Sequence, residues 1–429
     1  MGVFLIEVLA IVFNIIFLLK VIKNINRGKL YTVNILIFVF FVFFVLPLIL
    51  DLIVGVPNYE RHPGFYYSSK DTATRIIYAL YIMLAPVIMY KVGKPKESVS
   101  INAISYLRKY RVILYFLIVL PILIVLFSPN PLLYLQYAVS SKGLLGSEEA
   151  EYHALILFSS RLSMICISLV MLIGRKKYMT YVVLFAPLLF LDIWLYGKRS
   201  IVALTLVALL FVAYKRNVLR GKKIVAVGLL AVTVLLLFSN FFQQNVRKYD
   251  DYTFDQSYLN FRIDYGRDDV TRLAIYSELE EDLQILEYRG QSLLFYLTLY
   301  VPRSMWPDKP YPYAQYMTSA LFLSEPKLWG WGMTTSILEE MIANFSWLGF
   351  IIGPLILGLI CRIGDNTRES FISLLTVIFS ALLLVVHLTP IYPIFLIWLF
   401  SIIFIKIRAN IKRKAAIRGD LRWIGNDNP

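Results

Sequence analysis

The sequence predicts an all-α, polytopic integral membrane protein, and three observations carry that prediction. Of its 429 residues 59% are hydrophobic and only 17% charged, where soluble domains carry about a quarter. Apolar runs of about 18 residues or more recur along the chain, each long enough to cross a hydrocarbon layer as a helix. Lysine and arginine collect in alternate connections between those runs, the asymmetry of the positive-inside rule.

Taken in order, about eleven spans are expected, near residues 3–22, 31–54, 73–92, 112–128, 153–174, 179–196, 200–214, 224–242, 337–360, 371–388 and 391–407. The first connection holds Lys20, Lys23, Arg27 and Lys29, and the third runs from Lys91 to Arg111 with six basic residues. The fifth holds Arg175, Lys176 and Lys177, and the seventh Lys215, Arg216, Arg220, Lys222 and Lys223. With Arg362, Arg368 and seven more in the tail, 27 of the 43 basic residues lie on one side. That side is cytoplasmic by the rule, which leaves the N-terminus outside and the C-terminus inside. The net charge of +15 therefore meets anionic headgroups, and no nucleic-acid partner is expected. No basic region precedes the first run, so a removable signal peptide is not expected. Cys166 and Cys361 lie at spans and read as small apolar fillers.

In this orientation residues 243–335 form one large external loop within a single transmembrane domain. Leu273, Tyr276, Leu279, Leu283 and Leu286 recur at helical spacing, which predicts a surface helix over Val270–Arg289 with Asp269 as N-cap and Gly290 as its stop. The following Leu293–Val301 is too short to cross and reads as re-entrant or interfacial.

Charges inside a bilayer are costly, so their positions carry information. Arg161 lies in the fifth span and Asp192 in the sixth. They read either as a helix–helix ion pair or as an anion site held by its aspartate. Gly197-Lys198-Arg199-Ser200 makes a tight outer turn with two adjacent cations, suited to headgroup contact or to clamping a pyrophosphate. The prolines of Pro302–Pro310 forbid a regular helix and give a stiff loop presenting Arg303, Trp306, Asp308 and Lys309 near the membrane. Glu339 and Glu340 open the ninth span with Asn344 one turn on. They suit a general base for a hydroxyl or a counter-ion to Arg303 or Arg199. His387 stands alone in the tenth span and reads as an interior histidine. Glu280 and Asp282 read as part of a solvated acidic face. No D-x-D, P-loop or His/Cys metal spacing is present, so neither a metal nor a soluble nucleotide-sugar donor is expected.

The order of these features resembles the O-antigen polymerase (Wzy) family of oligosaccharide repeat-unit polymerases. The resemblance rests on Gly197, Arg199 and Ser200 after a mid-chain span. Pro302, Arg303, Trp306, Pro307, Lys309 and Pro310 follow in the large loop. A Trp329-Gly330-Trp331-Gly332 approach then leads to Glu340, Asn344 and Phe345. Members often place Gly after Asn-Phe, where this chain has Ser346. The resemblance implies a GT-C-like glycosyltransferase of the bacterial cytoplasmic (inner) membrane. It would pass a growing glycan from undecaprenyl pyrophosphate to the next lipid-linked repeat unit at the outer face, alongside a flippase and a chain-length regulator. On that reading Arg199, Arg303 and Lys309 neutralise the leaving pyrophosphate, with Lys198, Asp308 and Trp306 beside them. Glu340 prepares the acceptor hydroxyl, Asn344 fixes Glu340, Arg161 adds a further cation, and no cofactor is needed. The alternatives are a transporter or flippase of lipid-linked oligosaccharide, with a midplane cavity and matched halves, or an O-antigen ligase.

Overall fold

A computed structural model describes residues 2–95, 109–139, 144, 147–242, 253–280, 283–325, 332–367 and 369–417. Among them the architecture is all-helical. It runs α1 (Gly2–Asn26), α2 (Thr32–Phe40), a π-helical turn (Phe41–Val45), α3 (Leu46–Ile53), α4 (Pro63–Lys70), α5 (Thr72–Gly93), α6 (Arg111–Leu126), α7 (Glu148–Ile173), α8 (Tyr178–Tyr196), α9 (Arg199–Lys215) and α10 (Lys222–Phe242). It continues with α11 (Phe254–Tyr265), α12 (Asp268–Leu279), α13 (Gln291–Leu297), α14 (Tyr313–Leu321), α15 (Ile337–Phe345), α16 (Gly349–Asn366), α17 (Ser370–Val385) and α18 (Tyr392–Ile417). Among the described residues seven helices are long and apolar enough to cross a membrane, and residues 111–126, 200–215 and 370–385 form shorter apolar helices. With the 21-residue α10 they fall on the eleven expected spans.

The second span is the most informative. Pro47 has no N–H, and its ring excludes the carbonyl four residues back from the helical ladder. The helix widens to a π turn just before it, as a displaced backbone does. Carbonyls in and beside this turn are taken up by other elements. Phe43 O accepts from the Arg267 N–H (3.0 Å), Phe44 O from Tyr78 Oη (2.6 Å) and Pro47 O from Arg262 Nη1 (2.7 Å).

Helices α1, α2, α5 and α16 pack together, α17 bridges α2, α9 and α16, and α6–α8 form a second group beside α9. The segment from α11 to α14 caps one end of the bundle, where α12 lies between α4, α5 and α15. This corrects the sequence reading. The helix runs Asp268–Leu279, not Val270–Arg289, and nine of its residues are buried, so it is no surface helix. Asp269 is its second residue and Arg267 its N-cap, while Gly290 (φ +85°) opens α13. From the end of α13 onward the exposed Leu297, Tyr300 and Met305 make an apolar rim in keeping with the interfacial alternative.

Candidate functional site

A cavity of about 690 Å³ separates α1 and α2 from α9 and α10. Its depth is apolar, lined by residues such as Ile22, Phe38, Val207 and Val232, and it follows α9 from Ser200 to Phe211. One end is polar. Arg161 of α7, Lys198 of the α8–α9 turn, Asp264 and Arg267 of the α11–α12 junction, Thr334 and His387 all line it.

Local folding explains how each cation gets there. Gly197 adopts φ +60°, and a Cβ there would lie 2.4 Å from the Cα of Ala138, so glycine alone fits the turn that delivers Lys198. Arg161 donates through Nη1 to Pro390 O and lies 4.8 Å over the Tyr196 ring, while its Nε has no hydrogen-bond partner among the described residues. Arg267 is 4% exposed and is fixed by carbonyls. Its Nε donates to Val385 O (2.9 Å), Nη1 to Gly266 O (2.8 Å) and Nη2 to Asp264 O (3.1 Å). Lys198 is exposed at the mouth of the cavity, and the surrounding protein removes part of its hydration. That desolvation, with the Arg161 charge beside it, holds its ammonium below the usual lysine range. Two like charges without a paired carboxylate among the described residues favour a bound anion.

The ion pair read between Arg161 and Asp192 does not form. Arg161 turns to Pro390 and Tyr196 instead, and Asp192 Oδ2 is left without a partner among the described residues. Arg199 is the first residue of α9, but its side chain lies outside the described ones, as do Trp329, Gly330, Trp331 and Asp282.

Arg303 and Lys309 are together, though apart from that cavity lining. Arg303 donates to Lys309 O (2.7 Å) and Pro310 O (3.0 Å) and lies 4.0 Å over the Tyr311 ring. Lys309 is 6% exposed, with Nζ donating to Leu299 O and Val301 O, both at 2.9 Å. Both cations thus fasten their own loop, with Asp308 exposed and Trp306 half-buried beside them.

Glu339 and Glu340 part company. Glu339 closes a capping box with Ser336 at the start of α15. Glu340 is 2% exposed and accepts from Ser292 Oγ (2.7 Å) and Tyr296 Oη (3.1 Å), while Asn344 donates to Ser292 Oγ (2.7 Å). Asn344 does not hold the Glu340 carboxylate directly: its Nδ2 donates to the Glu340 backbone O (2.7 Å) and meets the carboxylate only through the shared Ser292 hydroxyl. Neither residue lines the cavity.

A buried charge network escaped the sequence reading. Arg262 bridges Asp51 (2.8 Å), Asp268 (2.6 Å) and Asp269 (3.3 Å). Arg272 reaches Asp51 and Asp268, both at 3.3 Å, and Tyr59 donates to Asp269 (2.5 Å). Asp51 is more than 200 positions from both arginines, so no local pattern announces it. Arg267 and Asp264 were missed for the same reason. Among the described residues no cluster of three metal-ligating side chains occurs.

Eleven apolar helical segments, and a cavity that is apolar along its depth and cationic at one end, define a multi-pass membrane protein with room for an anionic, lipid-linked substrate. The profile of the family described as O-antigen polysaccharide polymerase Wzy matches residues 2–414, and the chain belongs to that family. It is a repeat-unit polymerase with a glycosyltransferase-type activity on lipid-linked oligosaccharide. Comparisons with curated proteins and with solved structures gave no match.

Proposed function

We propose that glycan transfer takes place at the polar end of the cavity, at the outer face of the bacterial inner membrane, in a GT-C-like manner. The observation that supports this most is the gathering of Arg161, Lys198 and Arg267 at the polar end of a cavity that is mostly apolar along its depth. An acceptor hydroxyl oxygen attacks the anomeric carbon of the growing glycan. The bond from that carbon to the pyrophosphate oxygen breaks, and its electron pair leaves with polyprenyl pyrophosphate. Charge accumulates on the leaving phosphate, where positioned cations stabilise it best. Arg199, next in sequence to Lys198, belongs to the same group on this reading. The hydroxyl proton passes to Asp264 or His387, the acceptors at that end.

The remaining predicted residues take supporting roles. Arg303, Asp308, Lys309 and Trp306 shape the external loop 243–335, the natural contact for a chain-length regulator. Glu340 and Asn344 hold α13 and that loop against the ninth span. The N-terminus lies outside and the C-terminus in the cytoplasm.

The test is polymerisation by the purified chain in vesicles supplied with a lipid-linked repeat unit. Arg161→Ala and Lys198→Ala are each expected to lower turnover about 10²-fold, the usual loss for one charge-stabilising donor. Polymer made at the wild-type rate by the double variant would overturn the assignment.

A further inference from the structure

The cavity is much deeper than a pyrophosphate needs. Along α9 its lining runs from Ser200 to Phe211, and on α10 from Ile224 to Leu235, about 17 Å on each helix at 1.5 Å per residue. Beyond Ser200 at the cationic end both of these walls are apolar, with Asn34 the polar side chain facing them from α2, and on α10 Gly228 faces the groove with nothing within 4 Å of where its Cβ would stand. Packed spans close such space with side chains, and a glycine facing a void widens the groove instead. The cationic end opens directly into this apolar depth, so an anion held by Arg161 and Lys198 has its substituent directed either into the groove or out of the protein.

We propose that the groove between α1–α2 and α9–α10 holds the first isoprene units of the donor's polyprenyl chain, so that polyprenyl pyrophosphate stays bound after transfer and inhibits more strongly as the tail lengthens, up to the length of the groove. This rests on the functional reading above, which puts the leaving pyrophosphate at the cationic end. The donor is the occupant rather than the acceptor because the cations serve the lipid whose pyrophosphate leaves. An extended chain advances about 1.2 Å per backbone bond, so a groove of about 17 Å takes three to four isoprene units. Units in the groove gain close van der Waals contacts with its walls, whereas tail beyond that length lies in the bilayer and touches only lipid, so it adds nothing. Discrimination therefore rises up to about four units and then stops.

The experiment measures binding to the full-length protein in phosphatidylglycerol-containing vesicles. A fluorescent geranylgeranyl pyrophosphate serves as probe, displaced by inorganic, geranyl, geranylgeranyl and undecaprenyl pyrophosphate. The expected result is at least a tenfold gain from geranyl to geranylgeranyl and a change of less than about threefold from there to undecaprenyl. Gly228→Phe, with Val207→Phe as a second filling of the same space, is expected to remove that tenfold gain and leave inorganic pyrophosphate binding unchanged. Affinity that keeps climbing to undecaprenyl in wild type and both variants alike would mean membrane partitioning alone and would overturn the proposal. So would a site that phosphatidylglycerol fills and none of the pyrophosphates displaces. Polymerisation is read in the same vesicles. Graded binding without polymer formation would sink the functional reading and leave the groove standing, whereas polymer formation without graded binding would do the reverse.

Discussion

At Ser346 the backbone takes φ +53° and ψ −135°, a region that costs a residue with a Cβ on the order of 1–3 kcal/mol. The strain follows from the close approach of α15 and α16, where a Cβ on Gly349 would lie 2.2 Å from Met341 O. Ser346→Gly is therefore expected to stabilise the protein by about 1 kcal/mol, read as a higher unfolding midpoint in detergent. An unchanged or lower midpoint would mean that the serine side chain offsets the strain. Glu340 poses a sharper question at the same scale. If it secures α13 through Ser292 and Tyr296, Glu340→Gln should keep an acceptor and most of the polymerisation, and Glu340→Ala should lose the fold of that corner. A folded Glu340→Gln protein without activity would return the residue to the role of base. The sequence made Glu340 legible as a carboxylate at the mouth of the ninth span but gave neither its burial nor its partners, because Ser292 and Tyr296 lie over 40 positions away.

Among elements, α12 shows why a periodic pattern can mislead. Leu279, Leu283 and Leu286 continue the helical spacing, yet the helix ends at Leu279. Its stability comes from burial on nearly every side together with the Arg262 and Arg272 network, and amphipathy is not what organises it. That network brings three carboxylates to two guanidiniums, so one proton relieves the excess. Burial pushes the Asp268 carboxyl up to about 7 against the pull of Arg262. The unfolded chain ionises this group near its ordinary value of 3.8, well before the folded protein does. The contribution of Asp268 is thus fully present below that value and is lost as pH rises toward 7. Between pH 5.5 and 7 the loss is about 2 kcal/mol at 1.36 kcal/mol per unit. Unfolding midpoints should fall across that window in the wild type and stay flatter in Asp268→Asn. Parallel curves for the two would remove Asp268 as the source.

For the molecule as a whole, the apolar runs made all eleven spans readable, because each must satisfy its backbone within itself and announces its length in sequence. Which connections share an end follows from the fold. The 63–70 helix packs on α12, Gly197 meets Ala138, and Arg267 bonds to the carbonyl of Val385 beyond the tenth span's core. With Lys198, Arg267 and His387 lining one cavity, the connections after the second, fourth, sixth, eighth and tenth spans gather at one end. On the orientation proposed above that end is external, which thiol labelling can test cleanly because Cys166 and Cys361 are both buried. Ser304 is exposed in the Arg303 loop, and Lys176 is exposed between α7 and α8. In intact cells a membrane-impermeant maleimide should label Ser304→Cys and leave Lys176→Cys untouched until the membrane is opened. The reverse pattern would invert the molecule and turn the Arg161–Lys198 end toward the cytoplasm. A polymerase acting on outward-flipped repeat units could not work there, so the labelling result decides the orientation and the location of the chemistry together.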